Sequence, residues 1–267
     1  MRSCSISDGG SGHGRPRIAG DFDYEAGGAG YALHRRPDPR IEAYIRTALG
    51  NAETVVNVGA GAGSYEPHDR EVTAVEPSAT MRSQRPPDLA PAIDGVAEAL
   101  PFPDDWFDAA MATFTIHQWR DVEQGLGELR RVSRGPVVVL TADGDALAGF
   151  WLAEYSPEVI AAERRRYPPM SLIQDALGGS SAVLPIPIPF DCTDGFGEAF
   201  YGRPEELLKP AVRQAQSAWG FIDPADVERA VERLRSDLES GEWDRRHGAL
   251  RSEPEYQGSL RLVVAHP

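Results

Sequence analysis

Residues 55–63 read Val55-Val56-Asn57-Val58-Gly59-Ala60-Gly61-Ala62-Gly63, a β-branched run that breaks into three glycines. β-branched residues suit a pleated, buried strand. Closely spaced glycines at its end let backbone approach a ligand where a side chain would intrude. The spacing therefore predicts a strand over 54–58, a ligand-binding turn after it, and an α/β fold. A dinucleotide fingerprint needs Gly-x-Gly-x-x-Gly. The last position here is Ser64, so that pattern fails.

Working outward, the next strand, Glu71 to Val75, ends at Glu76, where a carboxylate can accept hydrogen bonds from both hydroxyls of a ribose. Residues 107–114 and Val137 to Thr141 give two more apolar runs. Between them Leu126 and Leu129 mark the inner face of a helix from about Val122 to Val132. Upstream, Ile41, Tyr44, Ile45 and Leu49 recur at helical spacing and Gly50 closes the stretch. Strands alternating with helices imply a parallel sheet covered on both faces. Beyond Asp143 the chain reads as helices broken by Pro157, Pro168 and Pro169. Val183 to Pro189, with three prolines, reads as an edge strand or extended loop. A helix follows from Asp223 to Gly241, and a last strand from Ser259 to Ala265.

Three motifs in order resemble the class I S-adenosylmethionine (SAM)-dependent methyltransferases. Asn57-Val58-Gly59-Ala60-Gly61-Ala62-Gly63 is similar to their first motif, with Asn57 where Asp is commoner. Val72 to Ser78, followed by Met81, is similar to their second. Ala97-Glu98-Ala99-Leu100-Pro101-Phe102-Pro103 resembles a segment of the branch that includes ubiquinone/menaquinone-type (methyltransferase type 11) enzymes, with Val96 in place of the family's Asp. The likeness covers residues 51 to about 143.

The resemblance implies a Rossmann-like fold: a mostly parallel seven-stranded sheet, an antiparallel C-terminal strand and a helical lid insertion. Residues 1–20, rich in Gly, Ser and Arg and almost without apolar residues, read as a disordered extension; the resemblance divides the rest into a first helix with the SAM-binding core (21–143), a helical lid (144–182) and the remainder of the core (183–267). It implies SAM as cofactor and S-adenosyl-L-homocysteine as product. The implied cofactor contacts are Asn57, Gly59, Ala60, Gly61, Gly63, Glu76 with Pro77, Met81 near the adenine, Ala97 and Glu98, and Thr113 and Phe114 after the third strand. Tyr31 and Arg35-Arg36-Pro37 look like an entry segment in which Tyr31 and Arg36 close over the cofactor; their other reading is surface packing of the first helix.

Methyl transfer from a sulfonium is an in-line displacement in which positioning supplies much of the catalysis. A protic nucleophile also needs a base. His117, after the third strand, is the candidate because it can be neutral near pH 7. Its other reading is a loop anchor or helix cap. Asp191 and Asp194, after the proline-rich segment, are expected as turn residues, their other reading being presentation to substrate. The aromatic bias of the C-terminal half, including Phe150, Tyr167 and Phe196, fits either core or a lid over an apolar acceptor.

Composition narrows the function. The 267 residues carry 27 Lys+Arg against 41 Asp+Glu, a net charge of −14, and Lys209 is the only lysine. P-loop and Schiff-base chemistries are thereby excluded. Acidity disfavours nucleic acid as partner, and no Pro-Pro-aromatic step of the nucleic-acid amino-methyltransferases follows the third strand. The Arg164-Arg165-Arg166 run reads as a solvated helix face. Cys4 and Cys192 match no metal or redox spacing, and no metal is expected. No apolar run approaches a membrane span or a signal peptide, so a cytoplasmic protein is expected, monomer or homodimer. The leading function is an enzyme that moves the SAM methyl to an O, N or C atom of a small organic molecule. The alternatives are a nucleotide-dependent oxidoreductase or a non-catalytic SAM-fold module.

Overall fold

The structure, a computed structural model, describes residues 35–267; Tyr31 and the 1–20 extension lie outside the described residues. Helix α1 (Pro39–Leu49) starts where the Asp38 side chain accepts the Arg40 N–H and Pro39 fills the first turn, as expected for a Pro at a helix start. It ends at Gly50, and Ile41, Ile45 and Leu49 are its buried stripe. Strands β1 (Thr54–Val58) and β2 (Glu71–Val75) follow, then α2 (Ala79–Ser83), β3 (Ala109–Thr113), α3 (Val122–Val132) and β4 (Val137–Ala142). Apart from α2, which was not anticipated, these core elements fall within two residues of their sequence-predicted bounds, because strong 2.0 and 3.6 periodicities fix them.

Four strands are parallel in the order β2-β1-β3-β4, and β8 (Leu260–His266) runs antiparallel beside β4. The sheet's side chains alternate between two cores. Val55, Ala109, Met111, Val138 and Leu140 face one, with α1 and the aromatic C-terminal half. Val56, Val58, Ala110, Ala112, Val137 and Val139 face the other, with Leu126 and Leu129 of α3. Covering both faces explains why the strands read as continuous apolar runs.

After β4 the chain forms α4 (Leu152–Tyr155), α5 (Pro157–Arg166) and α6 (Met170–Leu177), then β5 (Ser180–Pro185) and β6 (Ile188–Pro189). β5 is an edge strand paired antiparallel to β8, which fits one of the two readings of the proline-rich segment. The main sheet thus has six strands rather than seven. Pro185 and Pro187 remove ladder donors. The next stretch, β6, pairs instead with β7 (Glu255–Tyr256) in a separate two-stranded ribbon. The helix over 224–239 is capped by Asp223 as expected, with Pro224 in its first turn.

Candidate active site

Because β2 lies on one side of β1 and β3 on the other, a crevice opens at the carboxyl ends of β1 and β3, where ligands bind in open α/β sheets. Gly59 stands at this point. Its N–H and that of Ala60 both donate to the Val75 carbonyl, at 2.9 and 3.0 Å. Gly59 adopts φ +68°, and a Cβ there would lie 2.0 Å from Thr115 Oγ1. Gly63, at φ +97°, is equally constrained, because a Cβ would lie 2.3 Å from Leu89 Cδ1. Both positions need the left-handed backbone and the missing side chain.

Glu76 is buried at the end of β2. Its Oε2 accepts the Gly61 N–H and its Oε1 the Ser78 N–H, both at 2.8 Å. Burial pushes its pKa up, against the lowering effect of those two amides. Pro77 is exposed beside it. Met81 is buried in α2, with its Cε 3.3 Å from where a Gly61 Cβ would stand. Glycine loop, Glu76 and Met81 therefore form one packed unit.

Other expected contacts have structural occupations. Asn57, fully buried, donates from Nδ2 to Glu66 Oε1 at 3.0 Å. Glu66 in turn accepts two bonds from Arg85, at 2.9 and 2.7 Å. The Asn57 amide thus stands against a carboxylate beneath the loop, a place where a second carboxylate would repel the first. Glu98 Oε1 accepts the backbone N–H groups of Arg120 and Asp121 just before α3. Ala97 is buried, whereas Val96 is exposed. Thr113 Oγ1 reaches the Ser64 carbonyl at 3.5 Å.

Phe114 leaves β3 at φ +51°, a conformation rare for an aromatic residue and concentrated at functional sites. It lines two adjoining cavities, of about 60 and 30 Å³, that share Glu163, Tyr167, Phe196, Gly197 and Gln216. His117 lines the smaller one. Its ring centroid lies 4.7 Å from that of Tyr167, and its Nδ1 is buried with no hydrogen-bond partner. Burial, then the Arg166 and Arg35 charges, hold its pKa well below the usual histidine range, so the imidazole is neutral at physiological pH.

Of the arginine pair, the inward residue is Arg35. Its guanidinium pairs with Asp194 and stands 5.1 Å from the centroid of the Phe114 ring. Arg36 is exposed. Asp194, expected as a turn residue, is instead buried and also accepts the Tyr65 hydroxyl at 3.0 Å. Asp191 is at the surface, paired with Arg40. Arg166, read within a solvated run, is buried and donates to Ser217 Oγ at 2.8 Å, while Arg164 and Arg165 are exposed. Glu163 was not singled out by sequence reasoning. Its position three and four residues after Ile160 and Val159, both buried, is the signal that places it on the inner face of α5. Among the described residues no group of three or more His, Cys, Asp or Glu side chains can hold a metal ion, and no helix is long and apolar enough to cross a membrane.

Comparison with known proteins agrees with this fold. A family model described as a methyltransferase domain matches residues 56–140. A solved structure assigned as a methyltransferase of an antibiotic biosynthesis pathway in Anabaena variabilis is 30% identical. It superposes with a TM-score of 0.80 over 87% of this chain and 98% of that one. The uncharacterised methyltransferase YcgJ of Bacillus subtilis is 32% identical over 100 residues, 33% of this chain and 40% of its own length. The match therefore spans less than half of that relative. A SAM-dependent methyltransferase of Thermotoga maritima shares the fold, at 17% identity and a TM-score of 0.53 over 91% of this chain and 95% of that one.

Proposed function

This chain belongs to the class I SAM-dependent methyltransferases, and we propose that it binds SAM at the Gly59–Gly63 loop and methylates an O, N or C atom of a small organic molecule. The observation that carries this reading is the Glu76–Gly61 unit at the crevice between β1 and β3. A carboxylate has about four acceptor positions, and the loop amides take two of them. The remainder suit a ribose diol. Gly59, Ala60 and Gly61 keep side chains beyond a methyl out of the path of a nucleoside, and Met81 gives it an apolar neighbour.

When bound, SAM supplies an electrophilic methyl group on a sulfonium. The chain's own residues then have three tasks. The loop and Glu76 hold the donor. Phe114, fixed between the Tyr65 and Phe196 rings at 6.2 and 5.4 Å, stands between the donor crevice and the two cavities and excludes water. His117, neutral and with an open Nδ1, accepts a hydrogen bond from the nucleophile when that nitrogen is the unprotonated one. Because burial and the Arg166 and Arg35 charges disfavour its protonated form, orientation is its larger contribution. Arg36, exposed here, and Tyr31 are retained as residues that close over the donor.

The test is transfer of label from methyl-labelled SAM to a panel of small amines, phenols and carbon acids. Label in an organic product supports the reading. SAM binding with no transfer to any member would favour a non-catalytic module.

A further inference from the structure

The two cavities behind Phe114 have a composition that selects a ligand. The larger is walled by Phe114, Phe150, Tyr167 and Phe196 with aliphatic side chains; among the described residues the only carboxylic acids lining it are Glu163 and Glu198, and no Lys, Arg or His does. Glu198 is committed: both its oxygens accept the Ser259 N–H, and Oε2 also accepts the Ser259 hydroxyl at 2.5 Å. Glu163 Oε2 makes no hydrogen bond: buried, it has only an ion pair, at 3.6 Å, with Arg166, which does not line the cavity. The smaller cavity adds the open Nδ1 of His117 and one cation, Arg35, which Asp194 already holds. The unmet groups facing the cavities thus include an acceptor oxygen and an imidazole nitrogen, inside aromatic walls that attract cations. At about 90 Å³ together, the cavities hold roughly seven water-sized atoms, the scale of a single ring.

The geometry points to these joined cavities as the acceptor site, and to a small aromatic or alicyclic amine as its ligand, with the amine N–H donated to Glu163. The assignment rests on the methyltransferase reading for the meaning of "acceptor" but not for the binding itself. A carboxylate ligand would meet Glu163 and Glu198, and the one cation among the described lining residues, Arg35, is already held by Asp194. An alcohol would fill the same space and donate to Glu163, but it brings no positive charge and so forgoes the ion pair that an ammonium makes with the carboxylate. Burial holds the Glu163 carboxyl above the usual range, against the lowering effect of Arg166 and Arg35; a cationic amine relieves that penalty, and passing its N–H proton to the Glu163 carboxylate frees the nitrogen lone pair that a methyl acceptor needs.

The experiment is calorimetric titration of the full chain with benzylamine, benzyl alcohol and benzoate, each with and without SAM, repeated on Glu163→Gln. Benzylamine is expected to bind at least about ten-fold tighter than benzyl alcohol, with benzoate weakest. E163Q is expected to erase the amine preference while leaving benzyl alcohol within about three-fold of wild type. Equal affinities, or a preference for benzoate, in the wild-type chain would overturn the assignment whether or not the variant folds. An amine preference that survives in a folded E163Q would also overturn it. SAM titrated alone reports separately on the methyltransferase reading: SAM binding with no amine preference sinks only the acceptor assignment.

Discussion

Oε2 of Glu76 accepts the backbone N–H of Gly61 at 2.8 Å, tying the end of β2 to the loop that follows β1. The group expected to hold a ribose is thus also the group that shapes the loop beside it. Glu76→Gln replaces one acceptor oxygen by a donor among the Gly61 and Ser78 amides. Charged hydrogen bonds contribute about 1.5–3 kcal/mol, so SAM affinity should fall about ten- to a hundred-fold in E76Q, read by calorimetry. Because burial raises the Glu76 pKa, acid should protonate it early. In the wild-type chain, SAM affinity should begin to fall at a pH above the usual glutamate range.

Gly59 is expected to tolerate no side chain. Gly59→Ala meets Thr115 Oγ1 at 2.0 Å and holds alanine at φ +68°. Strain and overpacking together should cost about 2–4 kcal/mol. Adding Thr115→Ala should return only the steric part, leaving a double variant intermediate in urea midpoint between wild type and G59A.

The Glu66–Arg85 pair is buried on both sides, at 1% and 3% side-chain exposure. Removing one partner from such a pair costs about 3–5 kcal/mol, because the remaining charge has no counterpart. Arg85→Met should show that loss in chemical denaturation. Glu66→Leu combined with R85M should recover most of it, although the Asn57 amide then loses its partner.

Asp38 sets the acid limit of the N-terminal junction. It is fully buried. Burial works to raise its pKa, but hydrogen bonds from the Arg40 side chain and from the Thr193 and Arg40 amides prevail and bring it to about 2. A carboxyl whose pKa is lower folded than unfolded stabilises the native state above its unfolded value. That contribution is lost as pH falls, here from about 4 towards 2. Asp38→Asn should cost on the order of 2 kcal/mol at pH 7, and the gap to wild type should narrow across that acid window.

The sheet was legible because buried parallel strands and amphipathic helices carry periodicities that tertiary context reinforces; Val122–Val132 and Thr54–Val58 fall on their expected residues. The strand count was not legible: the sheet has six strands where seven were expected, and the pairing of Ile188–Pro189 with Glu255–Tyr256 in a separate ribbon depends on a distant partner. At the site, Gly59, Gly61 and Glu76 stand together as their motifs imply. Arg35 could not be told from Arg36 by type, because which one turns inward is decided by Asp194, 159 residues away. Glu163 was masked by the arginine run beside it, and its role emerges only when α5 is laid against Phe114 and Phe196.

The central claim, a SAM site at the Gly59–Gly63 loop and Glu76, is tested most directly by calorimetric titration of the full chain with SAM and, separately, with NAD. The account predicts saturable SAM binding at one site per chain, weakened in E76Q, and no comparable binding of NAD. Tight NAD binding without SAM binding would contradict it.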